Sequence, residues 1–188
     1  MKTILASIGF LLVVSGTAAV GQQMPKPEAP RTITQVLDRA LTNVEEEFVP
    51  AADAMPEDKY GYAPTDGEFK GVRTFAEQVK HVAADNYQFG AAILQVKPPD
   101  TGGEAGPASV KTKAQIMQYL KDSFAYLHKA IKTINAGNAT ESMKSPWGQS
   151  TITRLGLATL TVGHCYDHYG QMVVYLRHNG IVPPASRG

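Results

Sequence analysis

Residues 164–186 read HCYDHYGQMVVYLRHNGIVPPAS, and the reading of this stretch decides the fold. Its apolar and aromatic residues run without a breaker from Gln171 to Asn179. Gly180 and then Pro183-Pro184 follow, the residues that stop a helix. Continued backwards, the pattern predicts one long final helix from about Thr151 to Asn179. Within it His164 and His168 stand at i and i+4, on one face and roughly 5–6 Å apart at Cβ. Neutral imidazole nitrogen is a good donor to zinc, nickel, copper or iron, so a rigid helix offers two ligands to one ion. The same spacing also occurs on wet or hydrogen-bonded helix faces, so a metal reading needs a third ligand. Cys165 follows His164 where the metalloprotease pattern HExxH has its glutamate, and the general base of that pattern is lost.

Working outward, three earlier segments carry helical periodicity. The first runs from about Thr34 to Ala51, with Val36, Leu37, Ala40, Leu41, Val44 and Phe48 forming one apolar face. The second opens at Thr74, where Thr74 and Glu77 fit a capping box, and runs to about Leu94 with Phe75, Val79, Val82, Phe89 and Ile93 turned inward. The third starts near Thr112, again with a capping pattern to Gln115, and carries Ile116, Leu120, Phe124, Leu127, Ile131 and Ile134. No repeat and no strand pattern competes with these. The first connection, residues 55–73, is too long for a hairpin between antiparallel neighbours and is expected to cross the bundle. Residues 98–107 and 135–149 are read as Gly/Pro-containing loops.

The candidates for a third ligand are His81, His128 and His178. His178 lies one turn from Gly180, where the negative helix end explains it, about 15 Å beyond His168. His128 stands next to Lys129, which suits a boundary position. His81 lies mid-helix between the apolar Val79 and Val82 and is the hardest to explain as surface, so placement prefers it. Asp85, four residues on, either helps orient an imidazole or faces solvent, and Gln171 either meets a metal-bound ligand or bonds to a neighbouring helix. Three imidazoles with no equally convincing fourth protein ligand would leave an open coordination position, the arrangement of catalytic sites. Cys165, about 100° round the helix from His164, is expected to be a small buried core residue. Trp147, the only tryptophan, is expected to pin a loop to the bundle.

Composition bounds the remainder. A chain of 188 residues suits one domain with a real core. Apolar residues at 43% and charged residues at 19% place it far from the disordered regime. With 18 basic and 17 acidic side chains it lacks the cationic excess that nucleic-acid binding draws on. Lys2, the apolar run from Ile4 to Val14, and the small Ala18, Ala19 and Gly21 read as a secretory signal peptide over residues 1–21. That run is shorter than the roughly 20 residues that span a bilayer, so no stable membrane anchor is expected after cleavage. Residues 22–33, with three prolines, read as a flexible leader, and 34–188 as the bundle. The expected location is periplasmic or extracellular. One cysteine excludes an intramolecular disulfide, so stability comes from packing or metal.

The segment 164–186, together with FAEQVKHVAADNY from Phe75 to Tyr87, resembles the DinB family of metal-binding bundles. The likeness extends to Tyr169, Gly170, Gln171, Tyr175, Leu176, Asn179, Gly180 and the double proline, and spans about residues 34–187. It implies an all-α four-helix bundle in which three histidines hold one divalent transition metal: His81, His164 and His168, matched residue by residue. The family is similar in fold to mycothiol-dependent maleylpyruvate isomerases and bacillithiol S-transferases, which implies thiol transfer as an inherited chemistry. The readings carried forward are a metal-dependent enzyme of transferase or hydrolase type with a small-molecule substrate, a non-catalytic metal-binding module, and a structural bundle. Zinc, nickel and iron are not distinguished, no catalytic side chain beyond the ligands is assigned, and a homodimer is compatible with each reading.

Overall fold

The computed structural model describes residues 29–65, 67 and 70–188. The expected signal peptide and most of the leader lie outside the described residues. Four helices carry the fold: α1 (Ile33–Ala54), α2 (Phe75–Leu94), α3 (Lys113–Ile131) and α4 (Arg154–His178). Three of them begin with reciprocal capping boxes, Thr32 with Gln35, Thr74 with Glu77 and Thr112 with Gln115. In each, the threonine oxygen accepts from an otherwise unpaired amide and the N3 side chain returns the bond, which sets the helix start within one residue. At the other end of α4, Gly180 adopts φ +72°. Ile181 N–H then donates to Leu176 O and Gly180 N–H to Arg177 O, the paired closure that only a left-handed residue permits without strain.

α1 packs on α3 and α4, and α2 packs on the same two helices. Sequence neighbours α1 and α2 therefore stand across a diagonal, as do α3 and α4. The first connection crosses the bundle as expected from its length. It is sewn to the helix it feeds: Phe75 N–H donates to Tyr62 O and Ala76 N–H to Tyr60 O, pairing two first-turn amides. Tyr60 Oη donates to Ala52 O at 2.7 Å, and the Tyr60 ring meets Phe75 edge-on at 5.3 Å.

The second diagonal connection differs from the sequence expectation. It contains a short antiparallel pair, β1 (Ser142–Lys144) with β2 (Thr151–Thr153), in register Met143 opposite Ile152. Three-residue strands are too short for alternation to register, and this pair takes up Thr151 to Thr153, so α4 starts at Arg154 with Thr153 as its cap. Trp147 sits in the loop of this pair with its ring 5.0 Å from Phe89, pinning the connection to α2.

The apolar face of α3 is realised: Ile116, Leu120, Phe124, Leu127 and Ile131, with Ile134 just past the helix, are all buried in one core with Phe48, Leu41 and Val44 of α1 and Phe75, Val82 and Ile93 of α2. Val36, expected on the inner face of α1, is instead exposed, because the helix turns its Leu37 side inward. Gly90 of α2 faces α3 closely; a Cβ there would stand 2.8 Å from the Tyr126 ring. Among the described residues no helix is long and apolar enough to cross a membrane.

One polar clamp ties α1 to α3. His128 faces Asp38 Oδ1 at 2.6 Å from Nδ1 and Glu45 Oε2 at 2.9 Å from Nε2. Both nitrogens donate only when the ring is an imidazolium. The Glu45 hydrogen bond, opposed by burial and helped by Asp38, raises the His128 pKa above its ordinary value. A raised folded-state pKa gives stability that is fully present below the unfolded value of about 6.5 and is lost as pH rises through the folded one. Thermal unfolding of His128→Gln beside the parent chain should therefore show a deficit of about 1–2 kcal/mol near pH 6. That deficit should shrink above neutrality; one that stays constant to pH 9 would contradict the charged clamp.

Candidate metal centre

α2 and α4 are adjacent, and each turns a polar stripe into their shared interface. On α2 the stripe is Gln78, His81 and Asp85, spaced three and four residues apart, all buried. On α4 it is His164, His168 and Gln171. The structure brings His81, His164 and His168 together. Their ring centroids are 5.2 Å (His81 to His164), 4.7 Å (His81 to His168) and 4.5 Å (His164 to His168). One donor atom from each lies within 4.8 Å of the other two. His81 and His168 are each only 6% exposed. Phe89 closes the apolar side, its ring 5.5 Å from that of His164.

Each ring is held by what surrounds it. His81 Nδ1 faces the backbone oxygen of Glu104 at 3.2 Å, and His168 Nδ1 faces Gln78 Oε1 at 2.6 Å. An oxygen of this kind only accepts, so both rings carry a proton on Nδ1, and a neutral ring held this way has its lone pair on Nε2. Gln78 is itself oriented, its Nε2–H donating to Gln171 Oε1 at 2.8 Å, while Gln171 donates to Asp167 Oδ2 at 3.0 Å. A relay of three hydrogen bonds thus runs from His168 across to α2 and back to the carboxylate of Asp167. His164 is different: its Nδ1 is buried with no hydrogen-bond partner, and its Nε2 stands 3.2 Å from Asp85 Oδ2. The same oxygen is 3.6 Å from His81 Nε2.

The electrostatics keep the nitrogens available. Burial, then the neighbouring His81, lowers His164 to a pKa of about 4; burial, then His164 and His81, lowers His168 to about 3. Near neutral pH both are uncharged donors. Burial raises the Asp85 carboxyl above its ordinary range, with the charge of His81 opposing. Three converging imidazoles, with His164 and His168 uncharged near neutral pH, oxygen acceptors at Nδ1 of His81 and His168, and a buried unpartnered Nδ1 on His164, are a donor set that fits a divalent transition metal.

The other histidines are elsewhere. His128 is in the α1–α3 clamp, and His178 Nδ1 is 3.1 Å from Tyr62 Oη at the end of α4. Cys165 is fully buried with its thiol 3.5 Å from Asn86 Oδ1, and burial raises its pKa, so it is an inert core residue. Gln171 bonds to α2. Gln78 was not singled out from the sequence; its signal was a polar residue three before His81 and seven before Asp85, on the same face of α2. The Glu104 carbonyl left no sequence signal, because any residue supplies one. Beside the site, a cavity of about 400 Å³ is lined by Gly71, Val72, Arg73, Glu77, Glu104 and Ala105. Arg73 and Glu104 pair across it at 2.9 Å.

A family model described as the DinB superfamily matches residues 40–172, the larger part of the chain. No curated protein matches. Among solved structures, a DinB-like protein from Bacillus cereus is similar with a TM-score of 0.67 at 14% identity, over 80% of this chain and 95% of that one. A conserved protein from Enterococcus faecalis gives 0.63 at 18% identity, over 79% and 97%. YfiT from Bacillus subtilis, described as a probable metal-dependent hydrolase with an unusual four-helix bundle topology, gives 0.59 at 16% identity, over 86% and 96%. At these identities the structures speak to the fold, and the family match covers the segments that carry all three clustered histidines. The chain belongs to the DinB superfamily.

Proposed function

We propose that this protein is a metal-dependent enzyme of hydrolase type that holds one divalent transition metal on His81, His164 and His168. The observation that carries the reading is the convergence of three imidazoles from two helices, two of them with Nδ1 tied to outer oxygen acceptors. When bound, such an ion supplies Lewis acidity, polarising a carbonyl or acidifying a water. The chain's own residues do the rest. The Gln78 relay and the Glu104 carbonyl hold the rings of His168 and His81 in one tautomer, and Phe89 shields His164 from bulk water. The adjoining cavity is of a size for a small-molecule substrate, and Glu104 belongs to both, lining the cavity with its residue and meeting His81 with its backbone oxygen. That shared wall favours an enzyme over a binding module. We also infer export from Lys2, the apolar run that follows and the small residues to Gly21.

Metal content per purified chain tests the ligand set. His81→Ala, His164→Ala and His168→Ala should each empty the site, while His128→Ala and His178→Ala keep it filled; an empty site in His128→Ala would overturn the assignment. Gln78→Leu should leave the fold intact and weaken metal affinity by about 10–100-fold, as loss of an outer acceptor does. Hydrolysis of an ester and amide panel, compared between loaded and chelated protein, tests the reaction, and a loaded protein that turns over none of them argues for the module. Intact mass of protein recovered outside the cytoplasm should begin near Val20 or Gln22; retention of Met1 would defeat export.

A further inference from the structure

Asp85 is a buried carboxylate whose Oδ2 stands against two of the three clustered rings, 3.2 Å from His164 Nε2 and 3.6 Å from His81 Nε2. Its side chain is 10% exposed. Two donors bound to one ion at about 2.0–2.2 Å are themselves about 2.8–3.6 Å apart, from right-angled to tetrahedral geometry. The His164 separation falls within that range and the His81 separation at its upper end. The carboxylate oxygen thus occupies an edge of the coordination polyhedron that the rings would define, rather than a place behind a ring. An oxygen serving only to orient an imidazole would sit behind its nitrogen on the far side from the ion, as the Glu104 and Gln78 oxygens do at the Nδ1 atoms of His81 and His168.

Charge gives the second argument. Three neutral imidazoles leave the full +2 of a divalent ion uncompensated in a site whose walls include Phe89 and other buried apolar residues, an expensive arrangement. Among the described residues, Asp85 is the carboxylate seen to reach two of the rings; Asp167 is engaged by Gln171 and Glu104 by Arg73. Resting on the three-histidine reading above, we propose that Asp85 is a fourth protein donor, binding the metal through Oδ2 on the His81–His164 edge. The centre is then three imidazoles and one carboxylate. A four-coordinate ion would be closed by it, and an ion that takes five or six ligands would keep open positions only on the side away from Asp85. The metal this set suits is one that accepts oxygen together with nitrogen, such as zinc, nickel or iron, over a thiophilic ion such as copper(I).

The test is cobalt loading of the unmutated chain and of Asp85→Asn, with affinity read by chelator competition and the donor set by visible absorption. The expected result is at least a tenfold loss of affinity in Asp85→Asn with a changed cobalt spectrum, at unchanged helicity. A crystal structure of the zinc-loaded parent chain should place Oδ2 about 2.0–2.2 Å from the ion. That structure decides alone if Asp85→Asn does not fold. An unchanged affinity and spectrum, or an Oδ2 more than about 3 Å from a bound zinc, overturns the Asp85 assignment and leaves the three-histidine centre standing. Failure of the parent chain to take up cobalt or zinc overturns both, and the two failures are distinguished by the parent chain alone.

Discussion

Everything at the centre depends on keeping uncharged imidazoles inside a helix interface. Polar rings there cost free energy unless each N–H finds an acceptor. The Gln78 amide and the Glu104 carbonyl meet that need for two of them, and in doing so decide which nitrogen is left bare. For His168 the same burial that makes the ring costly lowers its pKa, so satisfaction of one edge of that ring and availability of the other are a single physical arrangement. The loop bearing Glu104 and the pairing of Gln78 with Gln171 are therefore part of the centre as much as its rings are.

The diagonal topology is what allows this arrangement. Adjacent placement of α2 and α4 follows from two connections that cross the bundle, one sewn by Tyr60 and Tyr62 to the first turn of α2, the other carrying the short strand pair and Trp147. Trp147 packs on Phe89 and Phe89 packs on His164, so the second crossover reaches the centre through two aromatic contacts. All four helices contribute to the apolar core, and the α1–α3 side adds its own charged clamp at His128. The α2–α4 side alone carries the histidine cluster.

What could be read in the sequence was whatever is encoded locally. The capping boxes at Thr74 and Thr112, the stop at Gly180 and the periodicity of Ile116 to Ile134 each lie within a few residues of the feature they specify. The i, i+4 pairing of His164 and His168 is of the same kind, and His81 stood out as a polar residue in an apolar setting. What stayed hidden depends on residues distant in the chain. Asp85 showed its spacing to His81 but not its contact with His164, which needs α4 beside it; Gln78 owes its role to a ring on another helix, and the strand pair is too short to show alternation. Val36 was misplaced because a broad apolar stripe does not say which of its edges meets the core.

The relay that holds His168 has a consequence for how the protein comes into being. Gln78 and His168 are ninety positions apart in the chain, and α4 is synthesised after α1, α2 and α3. Contacts of such separation form late, after the entropy of closing the intervening chain has been overcome. During synthesis His81 and Asp85 emerge well before His164 and His168, so the cluster of three imidazoles exists only in the finished bundle. On the proposed reading, any choice among metals would be made there, and a chain truncated within α4 would lack the partners of His81.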